Sequence, residues 1–436
     1  MIHMDYFVES KHFKDLYILP SKDEQKVIVY APLRGIAFSS DLKTADMLFR
    51  DDESSKEIKQ LANKIKGIKI NSDFHTEDLF SISRNLVILL SNSCNLGCTY
   101  CYAQQNRRDD VLSKEKIRAA IDYVFKLHVD DKNELDVSFL GGGEPMFHWD
   151  LLTWAILYVK EQAQKLNLNV RYGFPTNGTL LNEDRIRFLS ENNVQVGLSF
   201  DILPSIQDTQ RPFAHSQRST YDVVRKNMDL LNQYGIPTRF RTTITPKIAS
   251  KMPEMVLHTV EHFPYVKKVH FEPIYPLEDD KSQNNDLDAF YDEFIESFMN
   301  AYKVGLSFGI QVNTAATNTL NKIKQRYCRG ELCVTPNGDI VMCHRASSRE
   351  DIRFAALNYG SIENEVRVNM KNLSSIQDQI NDLPEKCNEC FSRWHCAGMC
   401  ISNRMMYSDA HYKSYCRYIR KLQSIFIENL IDKGGV

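Results

Sequence analysis

Between residues 85 and 305, short apolar runs alternate six times with amphipathic helical stretches, and this beat restricts the chain more than any other feature. N-L-V-I-L-L (85–90) is almost continuously apolar, as a parallel strand buried on both faces must be. Further strands are predicted at L-D-V-S-F-L (135–140), N-V-R-Y-G-F (169–174), V-Q-V-G-L-S-F (194–200), T-R-F-R-T-T-I (238–244) and V-K-K-V-H-F-E (266–272). Helical periodicity falls near 113–128, 149–167, 183–192, 219–234, 253–263 and 286–305, with Ser113 as N-cap of the first stretch. Repetition of this kind implies a parallel sheet with right-handed crossovers, here an α/β partial (β/α)6 barrel. Barrels place their chemistry at the C-terminal ends of the strands.

The loop that leaves the first strand carries C-N-L-G-C-T-Y-C, with Cys94, Cys98 and Cys101 in C-x3-C-x2-C spacing. Three thiolates can converge there on one metal centre. A 4Fe–4S cube takes four such ligands, so three leave one iron open, and an open position is where a metal site does chemistry. A zinc knuckle with a distant fourth ligand, or plain buried cysteines, would use the same residues. The chain has eleven cysteines in all. The remainder, Cys328, Cys333, Cys343, Cys387, Cys390, Cys396, Cys400 and Cys416, lie beyond residue 306, where the strand–helix beat is lost. There T-P-N-G-D-I-V-M-C (335–343) reads as a hairpin, because Asn-Gly favours the positive φ of a tight turn. The run 387–400 reads C-x2-C-x5-C-x3-C, which zinc could also occupy, and a closing helix is predicted at about 411–432.

Residues 1–84 form a third region. L-Y-I-L-P (16–20), K-V-I-V-Y (26–30) and R-G-I-A-F (34–38) read as strands, followed by helices near 41–50 and 54–66 with Asp41 and Ser54 as N-caps. The order resembles a winged helix-turn-helix, but Asp46, Asp51, Asp52, Glu53 and Glu57 offset its lysines. It reads either as a packing extension or as a module that adds an extended peptide to a strand edge. Over the whole chain 54 Lys and Arg face 56 Asp and Glu, which calls for neither nucleic acid nor an anionic membrane as partner. No apolar run reaches the roughly 18 residues of a spanning helix, and no signal-peptide pattern follows Met1. A cytoplasmic protein with reduced thiols is expected, in which so many cysteines serve metals rather than disulfides.

C-N-L-G-C-T-Y-C-Y resembles the signature of the radical S-adenosylmethionine superfamily, and the barrel beat agrees with it. The later cysteines resemble its SPASM extension: Cys328, nine residues, Gly338, four residues, Cys343, then the four-cysteine run and a distant Cys416. The likeness covers residues 85–436 and implies a barrel over 85–305 and a cysteine-rich α+β SPASM domain over 306–436. It also implies S-adenosylmethionine on the open iron and its reductive cleavage to a 5′-deoxyadenosyl radical, with hydrogen-atom abstraction from substrate. L-G-G-G-E-P (140–145) matches the Gly-Gly-Glu-Pro motif, placing Gly142, Gly143 and Glu144 against the methionine amino group. Asn177 and Ser199 match positions that bond the ribose and carboxylate; either could instead be a polar turn residue serving its own backbone. Tyr100 would lie near the adenine or simply pack. Asp201 and Arg211 match a S-x-D-G…R stretch in which this chain has Ile202 for the usual glycine.

By the same resemblance Cys328, Cys333, Cys343 and Cys400 hold one auxiliary 4Fe–4S cluster, and Cys387, Cys390, Cys396 and Cys416 a second, three clusters in all. No thiol then remains to return a hydrogen atom, which disfavours epimerisation and favours net two-electron oxidation. Two kinds of substrate compete. One is a ribosomally made precursor peptide, leader and core, acquiring a thioether or carbon–carbon crosslink. The other is a sulfatase Cys or Ser converted to formylglycine. The N-terminal region resembles the start of peptide maturases. Sulfatase-maturing enzymes usually carry Asp directly after the cysteine that Cys343 matches, where this chain has His344. A flavodoxin or ferredoxin would supply electrons. A non-catalytic iron–sulfur carrier is the alternative from a different class.

Overall fold

The computed structural model describes residues 9–52, 54–71, 78–104, 107–131, 133–140, 142–274 and 286–432. It divides into two compact units. One takes residues 1–76, 314–328 and 380–436, the other 77–313 and 329–379.

The smaller unit begins with an antiparallel sheet of β1 (Tyr17–Pro20), β2 (Lys26–Ala31) and β3 (Ile36–Asp41), in that order. Alternate residues serve its two faces. Ile18, Val27 and Val29 pack on Ala45, Leu48, Ile58, Ala62 and Ile65 of helices Leu42–Phe49 and Lys56–Lys66. Tyr17, Leu19, Ile28 and Tyr30 pack on Phe391 and on Ile427 of the closing helix Asp409–Asp432. Burial on both faces explains why K-V-I-V-Y carries no polar alternation. Asp41 caps its helix as expected, accepting from the Thr44 amide, but the second cap is Ser55 rather than Ser54. The third strand starts two residues later than predicted, because Pro32–Arg34 form a 3-10 turn that closes on Gly35 at φ 63°.

Asp15, just before β1, is buried, with Oδ1 accepting from the Leu33 amide at 3.3 Å and Oδ2 without a hydrogen-bond partner among the described residues. Burial pushes its carboxyl up to about 7. The folded state therefore binds the Asp15 proton more tightly than the unfolded chain. That contribution is complete below about pH 4 and is lost as pH rises through about 7. Asp15→Asn tolerates the φ of 67° found there. It is expected to raise stability by roughly 3–4 kcal/mol at about pH 8 and to change little at about pH 4. Denaturant midpoints at the two pH values check this.

In the larger unit β4 (Asn85–Ile88), β5 (Leu135–Phe139), β6 (Val170–Thr176), β7 (Gln195–Ser199), β8 (Phe240–Ile244) and β9 (Lys268–Pro273) lie side by side in sequence order, all parallel. Helices Lys114–Leu127, Trp149–Leu166, Glu183–Glu191, Thr220–Gln233, Met252–His262 and Leu287–Phe308 follow them in turn. These are the six units of the expected partial barrel. The sheet extends further at both ends. β10 (Gln311–Asn313) runs parallel beside β9, and β11 (Leu332–Val334) runs parallel beside β4 with Cys333 opposite Val87. β12 (Asp339–Val341), β13 (Asn358–Ile362) and β14 (Val366–Val368) then continue it antiparallel. The hairpin between β11 and β12 turns on Gly338 at φ 88°, as its Asn-Gly pair requires. No helix among the described residues is long and apolar enough to cross a membrane.

Candidate active site

The cysteine loop leaves β4 and is held along its length by the segment 210–214. The Gly97 amide donates to the Pro212 carbonyl at 2.8 Å, Thr99 to Gln210 at 2.9 Å and Ala214 to Asn95 at 3.0 Å, and Leu96 bridges Phe213. Such a ladder, made of backbone alone, fixes where the three cysteine side chains sit, and the Leu96 amide adds a bond to Cys94 Sγ at 3.5 Å. The Cys94, Cys98 and Cys101 thiols are near enough to act on one another electrostatically. Burial pushes the Cys98 thiol up to about 12 and the Cys94 thiol upward as well. Among the described residues no three cysteine sulfurs lie within 4.8 Å of one another.

The glycine loop after β5 packs directly on the segment entering the cysteine loop. Gly142 sits at φ 54°, and a Cβ on it would lie 2.0 Å from Asn92 Oδ1; one on Gly143 would lie 1.9 Å from the Ser93 carbonyl oxygen. The Glu144 amide donates to that same Ser93 oxygen at 2.9 Å. Only bare backbone fits here. Gly141, the first glycine of the motif, lies outside the described residues. Gly143→Ala is expected to push residues 91–93 aside at a cost of about 1–3 kcal/mol, read as a lowered denaturation midpoint together with weakened S-adenosylmethionine binding.

Glu144 is buried and turned toward the end of β6. It accepts from Thr176 Oγ1 at 2.7 Å and from the Asn177 amide at 2.7 Å, while burial raises its pKa. Asn177 is engaged at both ends: Oδ1 accepts from the Thr179 amide and hydroxyl, and Nδ2 donates to Asn95 Oδ1 at 3.0 Å and lies 3.9 Å from Cys94 Sγ. It is thus both a turn residue serving its own backbone and a neighbour of the first cysteine. Ser199, half-buried at the C-terminal end of β7, has a hydroxyl with no hydrogen bond to a described residue.

Asp201, Tyr100 and Arg211 come together. The fully buried Asp201 accepts from Tyr100 Oη at 2.8 Å and Gln210 Nε2 at 2.9 Å, and Arg211 Nε lies 3.1 Å from the same oxygen. The Arg211 guanidinium also stands 5.2 Å from the Tyr100 ring centre. This network joins the cysteine loop, the end of β7 and the segment 210–214. Ile202, which replaces the usual glycine, is buried at φ 63° inside a tight turn closed by the Leu203 amide on the Asp201 carbonyl at 2.7 Å. Such a γ-turn is strained for a β-branched residue, at about 1–2 kcal/mol. Packing of the buried side chain offsets that strain.

Gln207, Gln210, Asn95 and Thr179 complete these networks and carry no motif that would single them out in sequence. The same holds for Glu331, which accepts from the His344 amide at 2.9 Å and from His344 Nδ1 at 3.0 Å. With Cys343 their donor atoms lie within 4.8 Å of one another. Cys333 and Cys343 belong to the larger unit, and Cys328 and Cys400 to the smaller. Cys387, Cys390, Cys396 and Cys416 all fall in the smaller unit and act electrostatically on one another.

A cysteine loop at the open end of β4, bare glycines against its entry and a parallel barrel define a radical enzyme scaffold. The Radical SAM superfamily model matches residues 88–260, and the chain belongs to this superfamily. It is 31% identical to an uncharacterized protein of Methanocaldococcus jannaschii over 264 residues, 60% of this chain and 84% of that one. It is 30% identical to the cysteine-type anaerobic sulfatase-maturating enzyme of Clostridium novyi over 157 residues, which span 35% of this chain and 41% of that enzyme. Among solved structures, native anSMEcpe with bound AdoMet and Kp18Cys peptide matches with TM-score 0.66 at 21% identity, over 80% of this chain and 99% of that chain. Streptococcus suis SuiB bound to precursor peptide SuiA matches with TM-score 0.53 at 16% identity, over 93% and 98% of the two chains. With an enzyme superfamily established, the non-catalytic carrier is set aside.

Proposed function

We propose that this enzyme matures a ribosomally made precursor peptide, introducing an oxidative thioether or carbon–carbon crosslink into its core. The carrying observation is the N-terminal sheet, whose β3 pairs with β2 alone among the described residues and so offers an edge to an extended leader. The fold likeness to SuiB bound to its precursor extends over 93% of the chain and supports the same reading. In this reading residues 1–84 recognise the leader, 85–305 form the catalytic barrel and 306–436 carry the auxiliary clusters. Cys94, Cys98 and Cys101 would hold the catalytic 4Fe–4S cluster. When bound, that cluster and S-adenosylmethionine supply the 5′-deoxyadenosyl radical that takes a hydrogen atom from the peptide. Gly142 and Gly143 keep the methionine end within reach of backbone, Ser199 offers a free hydroxyl to it, and the Asp201–Tyr100–Arg211 network holds the loop in place. A flavodoxin or ferredoxin supplies the electrons.

Formylglycine formation is the second reading, favoured by the 30% identity to the Clostridium novyi enzyme over 157 residues. Incubation with the peptides of any short open reading frames beside the gene, and separately with a sulfatase peptide, decides between them. The first reading expects the precursor to lose two hydrogens without loss of sulfur. Turnover of the sulfatase peptide alone would overturn it.

A further inference from the structure

The four cysteines of the smaller unit have two neighbours that no cluster motif includes. Lys386 directly precedes Cys387 and is exposed, and its Nζ stands 3.3 Å from the centre of the Tyr412 ring. Tyr412 is buried on the closing helix, one turn before Cys416, so both residues share a face of that helix. The Tyr412 hydroxyl lies 3.9 Å from Cys387 Sγ. A cysteine bound to iron is a thiolate and only accepts, so this contact becomes an O–H···S hydrogen bond from Tyr412. An ammonium over the ring face draws density from the phenol and strengthens its O–H as a donor. Arg393 and Arg420 also bear on these thiols as cations.

We infer that Lys386 and Tyr412 together raise the reduction potential of a cluster held by Cys387, Cys390, Cys396 and Cys416, setting that site toward accepting electrons. The inference rests on the proposed ligation of a cluster by these four cysteines. Both contributions have the same sign. A positive charge and a hydrogen bond to ligand sulfur each stabilise the additional negative charge that reduction places on the cluster. Lys386 and Tyr412 are positioning residues, acting through Cys387 and not on substrate.

The test is an anaerobic redox titration of the full-length reconstituted protein followed by electron paramagnetic resonance. The signal of this site is identified as the one that Cys416→Ala removes. Lys386→Gln and Tyr412→Phe are each expected to lower its midpoint by about 59 mV, a tenfold shift in a one-electron equilibrium, with iron content unchanged. Lys386→Arg, which keeps the charge over the ring, is expected to stay near the wild-type value. If Tyr412→Phe loses iron, Lys386→Gln decides alone, because its side chain is exposed. A signal present in wild type but unmoved by Lys386→Gln overturns the inference and leaves the ligand reading standing. Absence of any signal removable by Cys416→Ala overturns both.

Discussion

Alanine at Cys94, Cys98 or Cys101 is expected to abolish formation of 5′-deoxyadenosine and to remove about four iron atoms per chain, while the protein remains folded. The reason is the separation of tasks in the loop. Its path is fixed by backbone bonds from Gly97, Thr99 and Ala214 to and from the 210–214 segment, none of which uses a cysteine side chain. Loss of one sulfur therefore leaves the loop in place and takes away one of only three ligands. Iron analysis, circular dichroism and product chromatography on each variant check this. Continued 5′-deoxyadenosine production by any of the three would refute the assignment of the site.

Arg211→Met is expected to cost about 3–5 kcal/mol of stability, measured by denaturant unfolding of the metal-free protein. Asp201 is fully buried and its Oδ1 has no hydrogen-bond partner among the described residues, so the carboxylate depends on Arg211 and on two donors to Oδ2. Removing the guanidinium leaves a buried charge facing only Tyr100 and Gln210. Asp201→Asn combined with Arg211→Met removes that charge as well, so the double variant is expected to recover part of the loss. A single-variant loss below about 1 kcal/mol would show that the pair is not a structural prop. The network also spans the cysteine loop, so the single variant is expected to weaken S-adenosylmethionine binding even where it folds.

The six strands of the barrel were legible because β4 is an almost continuous apolar run and the other five bury mostly apolar side chains at every second position between helical stretches. β10 (Q-V-N) and β11 (L-C-V) were not, since three residues are too few to show any period. Their pairing is decided by what lies beside them, β9 and β4. Ser54 and Ser55 are equally good caps in composition, and only the start of the helix at Lys56 selects the second. His344 stood out in the sequence through its place after Cys343, but its partner Glu331, thirteen residues earlier, did not.

What the sequence alone determined was the chemistry: ligand type, ligand spacing and the glycines that permit close approach are set within a few neighbouring residues. Which side chains complete that chemistry was decided only by the tertiary structure. Asn95 meets Thr179, Tyr100 meets Asp201 and Cys387 meets Tyr412 because crossovers and a returning helix bring remote segments together. A polar side chain without a local partner takes whichever donor or acceptor the fold delivers, and no pattern along the chain encodes that meeting.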